Sequence, residues 1–164
     1  MRLVRARDVL LDTGPIVATL DASDQWHDMC VGAVTSLLDR CVTTEAVLTE
    51  ACHLVGRGRA RASLVLDFLL DAEIPILALD RPAVRHAARL MDQYAKVPMD
   101  FADAALVTLA DGLQLGTVLT TDRRGFRSYR PASGKPFRVY PEVVLPQLKC
   151  DSYALHSLEQ GGVH

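Results

Sequence analysis

The sequence predicts an α/β fold, a mostly parallel sheet sandwiched between helices. Two observations predict it. Short apolar or β-branched runs alternate with helical segments along the whole chain, the order that βαβ crossovers produce. Aspartates stand at the ends of two of those runs, at Asp12 and Asp122, where open α/β sheets place their ligands. With 164 residues, 49% hydrophobic and 23% charged, the chain has the length and balance of one globular domain.

The elements follow in order. Val9-Leu10-Leu11 is an apolar run ending at Asp12, followed by Thr13-Gly14-Pro15 and a helix with Ile16, Val17 and Leu20 on its buried face. Ser23 or Asp24 is positioned to cap a second helix to about Leu38, with Trp26, Cys30, Ala33, Val34 and Leu37 at three- and four-residue spacing. Cys41-Val42-Thr43 reads as a strand. Thr44 caps a helix carrying Val47, Leu48, Ala51, Leu54 and Val55, ended by Gly56 and Gly58. Residues 60–72 form another helix, and 74–79 a strand limited by Pro75. Asp80 and Pro82 start a helix to about Tyr94. A helix from Asp100 to Leu113 is ended by Gly112 or Gly116. Residues 117–121 are a β-branched strand stopping at Asp122, and 137–140 a last strand. Residues 1–149 make a single domain, and 150–164 a C-terminal tail.

The charge balance excludes whole classes of function. With 18 Lys and Arg against 20 Asp and Glu, the chain is not a bulk basic coat for nucleic acid, although local patches remain open to it. Aromatic residues at 5% disfavour a stacking platform. The four cysteines form no CxxC pair, which leaves a structural zinc site unsupported and free thiols in a reducing cytoplasm as the simpler reading. No apolar stretch approaches the ~18 residues a membrane helix needs, so no membrane partner is expected.

The acids carry the chemistry. Asp100 and Asp103 share a helix face, and Glu50 sits on the apolar side of its helix with Val47, Ala51 and Leu54. Carboxylates in apolar surroundings need a partner or a shifted pKa, and no Lys or Arg lies in their immediate windows. A divalent cation would satisfy such a cluster, and all-oxygen ligands select Mg²⁺ or Mn²⁺. Each acid alone has a plain alternative as a turn or capping residue. After Asp122 the chain holds six basic residues and no acid between 123 and 138, a stretch suited to phosphate contacts. Arg57, Arg59 and Arg61 form a second basic cluster. The five histidines show no ligand spacing, and His53, three residues from Glu50, reads as structural.

The blocks LLDTGPIVATL, TTEAVLTEACHLV, MDFADAALVTLA and VLTTDRRGF resemble the PIN-domain ribonucleases, and among them the VapC-type toxins of toxin–antitoxin modules. The resemblance runs from about Val9 to Tyr140. It implies a PIN-like three-layer α/β/α sandwich and hydrolysis of RNA phosphodiesters with Mg²⁺ or Mn²⁺. It implies Asp12, Glu50, Asp103 and Asp122 as catalytic metal ligands, with Asp100 accompanying Asp103. Thr13 and Thr121 would add hydroxyl contacts, and Arg123, Arg124 and Arg127 would meet the substrate. A homodimer and a VapB-like antitoxin are the implied partners. One departure stands out: many relatives carry an acid where this chain has Gly125, which puts a second metal position in doubt. A PIN nuclease of RNA processing or decay outside a toxin module remains open. A receiver-like signalling domain fits poorly, because no acidic pair ends the first strand and Asp122, not Lys, ends the late one.

Overall fold

The computed structural model describes residues 7–58 and 60–142; the expected tail at 150–164, the boundary at 149 and Arg59 lie outside the described residues. Five strands form one sheet in the order β3-β2-β1-β4-β5. They are β1 (Val9–Leu11), β2 (Cys41–Thr44), β3 (Ile76–Leu77), β4 (Thr117–Leu119) and β5 (Arg138–Tyr140). Every pairing is parallel, including Leu10 opposite Val42 on one side of β1 and opposite Val118 on the other. Helices cover the sheet, consistent with the α/β/α sandwich.

Parallel strands buried on both faces read as unbroken apolar runs. Val9, Leu10 and Leu11 are fully buried accordingly. The chain first lays strands outward from β1 to β3, then returns to add β4 on the other side of β1. The reversal leaves a crevice between the carboxyl ends of β1 and β4. Seven helices connect the strands: α1 (Thr13–Leu20), α2 (His27–Leu37), α3 (Glu45–Arg57), α4 (Ser63–Asp71), α5 (Arg81–Gln93), α6 (Phe101–Leu113) and α7 (Arg123–Ser128). Helix α6 is the most enclosed, with Ala102, Ala104, Ala105, Leu106, Val107 and Ala110 buried. Its alanines let neighbouring elements approach closely.

Several elements differ from expectation for physical reasons. The second helix begins at His27, not Ser23, because Asp24 turns back to accept a hydrogen bond from the Trp26 amide at 2.7 Å. Trp26 therefore precedes the helix. Leu54 is exposed although it shares a face with buried Val47 and Ala51. Helix α6 passes through Gly112 and is ended by Gln114 in a left-handed conformation, φ 56°, not by either glycine. The strand expected over 74–79 shrinks to two residues, since Pro75 has no amide to donate. The strand expected over 117–121 stops at Leu119, and the basic run opens with helix α7.

Candidate active site

Asp12 directly follows β1 and caps α1. One carboxylate oxygen accepts from the Thr13 amide at 2.7 Å, and the other from the Thr120 hydroxyl at 2.6 Å. Only 6% of the residue is exposed. Burial pushes its pKa up to about 6 despite those two hydrogen bonds, and the charges of Glu50 and Asp100 add to the rise.

Glu50 reaches the same place from α3. It accepts from the Thr13 hydroxyl at 2.6 Å, so Thr13 joins α1 to α3 across 37 residues. Its pKa is raised, first by burial and then by Asp100, whose carboxyl lies within hydrogen-bonding reach; the charge of exposed His53 acts the other way.

Asp100 and Asp103 come from the start of α6. Asp100 is exposed and caps the helix by accepting from the Asp103 amide at 2.9 Å. Asp103 is half-buried, and burial drives its pKa up to about 8, helped by Asp12, Asp100 and Asp122. The Tyr129 hydroxyl, 3.2 Å from its Oδ2, is the opposing influence.

Asp122 does not end a strand; it caps α7, accepting from the amides of Arg124 and Gly125 at 3.2 and 3.1 Å. Its own amide donates to the Thr120 hydroxyl oxygen at 2.8 Å. Thr120 therefore links Asp12 and Asp122, the first and last acids of the cluster. Thr121 does something different: its hydroxyl lies against Gly14, where any Cβ would overlap it. That contact fixes how closely the start of α1 approaches the loop after β4.

Four segments thus bring five carboxyls to one edge of the sheet. Among the described residues, no ion pair reaches any of them, and no three acidic, His or Cys side chains form a closed ligand set. Hydroxyls and amides serve these acids instead. The donor set is all oxygen and its members repel one another, which suits a hard divalent cation.

The basic run is divided in its duties. Arg123 donates to the Pro141 carbonyl. Arg130 donates to the carbonyls of Arg127 and Tyr129 at 2.6 and 2.7 Å. Arg138 pairs with Glu142 at 3.5 Å and lies over the Tyr140 ring. Arg124 and Arg127 are exposed on α7, with no side-chain partner among the described residues.

Sequence reading missed two residues here. Thr120 bonds Asp12; the signal was an adjacent pair of threonines, of which the one two residues before Asp122 can accept its amide. Tyr129 had no local signal, because its contact with Asp103 spans 26 residues.

A parallel sheet with acids gathered beyond the reversal between β1 and β4 is the architecture of α/β proteins that bind their ligands at that edge. Within that class, the chain belongs to the PIN-domain family, whose model matches residues 9–130. It is 33% identical over 135 residues to Ribonuclease VapC26 of Mycobacterium tuberculosis, covering 81% of this chain and 100% of that protein. Solved structures share the fold. The M. tuberculosis toxin VapC20 superposes with a TM-score of 0.63 at 16% identity, over 67% of this chain and 86% of that one. The DNA-bound VapBC complex of Salmonella typhimurium gives a TM-score of 0.59 at 18% identity, over 81% and 96%. PIN-domain ribonucleases are in general divalent-metal dependent. No helix among the described residues is long and apolar enough to cross a membrane.

Proposed function

We propose that this chain is a Mg²⁺- or Mn²⁺-dependent endoribonuclease and the toxin half of a VapBC-type pair. The observation that carries the reading is the convergence of Asp12, Glu50, Asp103 and Asp122, with Asp100 beside them, on one sheet edge with no ion pair to any of them among the described residues. The burial and mutual repulsion behind the raised Asp12, Glu50 and Asp103 carboxyls are what a bound cation would offset.

In this reading a divalent ion, held by these carboxylates, would activate a water and stabilise the negative charge that builds on the phosphoryl oxygens during in-line attack. The chain's own residues arrange the rest. Asp12 and Asp103 offer the most buried carboxylates, and Glu50 is aimed by the Thr13 hydroxyl. Thr120 orients Asp12. Arg124 and Arg127 face solvent next to Asp122 and are free to meet phosphates of the RNA, while Arg123 braces the end of β5 through the Pro141 carbonyl. Thr13 and Thr121 line the edge where the scissile phosphate would lie. VapBC neighbours support a VapB-like antitoxin as partner, and the family supports a homodimer.

The test is cleavage of total RNA with and without Mn²⁺, with mapping of the ends. Metal-stimulated internal cuts bearing 5′-phosphates are expected. Cleavage undiminished by excess chelator would overturn the metal-dependent mechanism.

A further inference from the structure

We infer that Tyr129 is a positioning residue of this site, holding the Asp103 carboxylate in place through space that Gly125 leaves open. The inference rests on the metal-dependent reading of the acids and extends it to a residue outside them.

Tyr129 stands at the end of α7 and is fully buried. Phe126 and Tyr94 pack edge-on against its ring, with centroids 5.4 and 5.2 Å away. The ring is therefore held on two sides, and its hydroxyl can go in only one direction. That direction leads to the start of α6. The hydroxyl lies 2.9 Å from the Pro98 carbonyl oxygen and 3.2 Å from Asp103 Oδ2, and it donates its proton between these two acceptors. One group thereby joins the segment carrying Asp100 and Asp103 to the helix capped by Asp122.

Gly125 makes the approach possible. A Cβ there would come within 2.9 Å of the Tyr129 hydroxyl and 3.0 Å of its ring, and would overlap Asp122 Oδ2. No side chain larger than hydrogen fits without moving the phenol or the acid. The chain thus has a neutral hydroxyl donor beside Asp103 where a side chain at 125 would otherwise intrude. A carboxylate whose one oxygen is held by a donor keeps the other in a defined direction, and outer-shell contacts of this kind typically change metal affinity about 10–100-fold.

The experiment measures Mn²⁺ binding to the RNA-free protein by calorimetry, and by the rise in melting temperature on adding Mn²⁺, for the wild type, Tyr129→Phe, Gly125→Ala and Asp103→Asn. Tyr129→Phe keeps the ring packing, so its far-ultraviolet circular dichroism should match wild type while Mn²⁺ affinity falls about tenfold. Gly125→Ala should also lower affinity, but by crowding Asp122 Oδ2 as well as the phenol, so Tyr129→Met, which fills the space with a flexible apolar chain, carries the test if Tyr129→Phe does not fold. An Mn²⁺ affinity within twofold of wild type in the folded Tyr129 variant, with binding lost in Asp103→Asn, would overturn the role of Tyr129 alone, whatever Gly125→Ala does. Undiminished binding in Asp103→Asn would remove the reading of the acids, and this role with it.

Discussion

Two aspartates flank the same three-residue strand and live under opposite conditions. Asp8, before β1, is half-exposed and paired with Arg40 through contacts of 2.6 and 2.8 Å. The Arg40 guanidinium holds its pKa below the usual value. Asp12, after β1, is buried, touches no cation and is pushed up to about 6. The first arrangement closes a surface and leaves nothing to be done. The second keeps a carboxyl whose charge is unmatched, a condition a fold retains at a cost and a ligand can relieve. The same contrast holds for Asp111, near the amino end of β4, which is met by His86 at 2.7 Å and by the Ala132 amide. That end also holds a cavity of about 630 Å³ lined by Asp111, Gly116, Pro131 and Lys135. That cavity lies away from the acids, and partnering is the better guide to the site.

The sharpest way to break this comparison is to neutralise each aspartate in turn. Asp12→Asn should reduce Mn²⁺-stimulated RNA cleavage by more than about 100-fold with circular dichroism unchanged, while Asp8→Asn stays near wild type. Equal losses from both would erase the distinction.

A second test uses pH without metal. The raised carboxyls are protonated at low pH and cost nothing in the fold. As pH climbs from about 3.8 through about 6 for Asp12 and about 8 for Asp103, that contribution to stability is lost. Melting temperature of the metal-free protein should therefore fall between pH 5 and 8.5 by roughly several degrees. Asp103→Asn should flatten the fall, and Mn²⁺ should restore stability at the high end. A wild-type profile that rises over this range would contradict the assignment.

Third, Thr120→Val preserves shape but removes the hydroxyl that serves Asp12 and Asp122. Activity should drop about tenfold; an unchanged rate would make Thr120 a packing residue only. Fourth, replacing Arg124 and Arg127 together by Ala should flatten the salt dependence of RNA binding by about 1.4 in slope, the value for two phosphates on a single strand. An unaltered slope would move the RNA elsewhere. The smallest effect belongs to Arg40→Ala: the pair is solvent-screened at the surface, so melting should shift little and cleavage not at all.

Much of this was legible because the relevant signals are local. Apolar runs ending in Asp12, the capping by Thr44, Asp80 and Asp100, and the parallel layering follow from spacing and residue type. The family model and the structural neighbours agree with the fold read from the chain. What spacing could not reveal was anything decided by distant partners. Nothing near Tyr129 announces Asp103. Helix α7 is only six residues long and holds a glycine among three Arg, so its helical character depends on the Asp122 cap and on Phe126 buried beneath it. The end of α6 at Leu113 was legible, but not the residue that closes it, because Gln114 takes a backbone conformation more often given to glycine.

The strand order has a consequence in time. Chain synthesis delivers Asp12 first, yet its hydrogen-bond partner Thr120 comes 108 residues later, and the Thr120 amide in turn bonds to the carbonyl of Tyr140. The edge that gathers the acids cannot exist until nearly the whole described chain has left the ribosome. For the endoribonuclease proposed above, the topology would withhold a complete site from every unfinished copy.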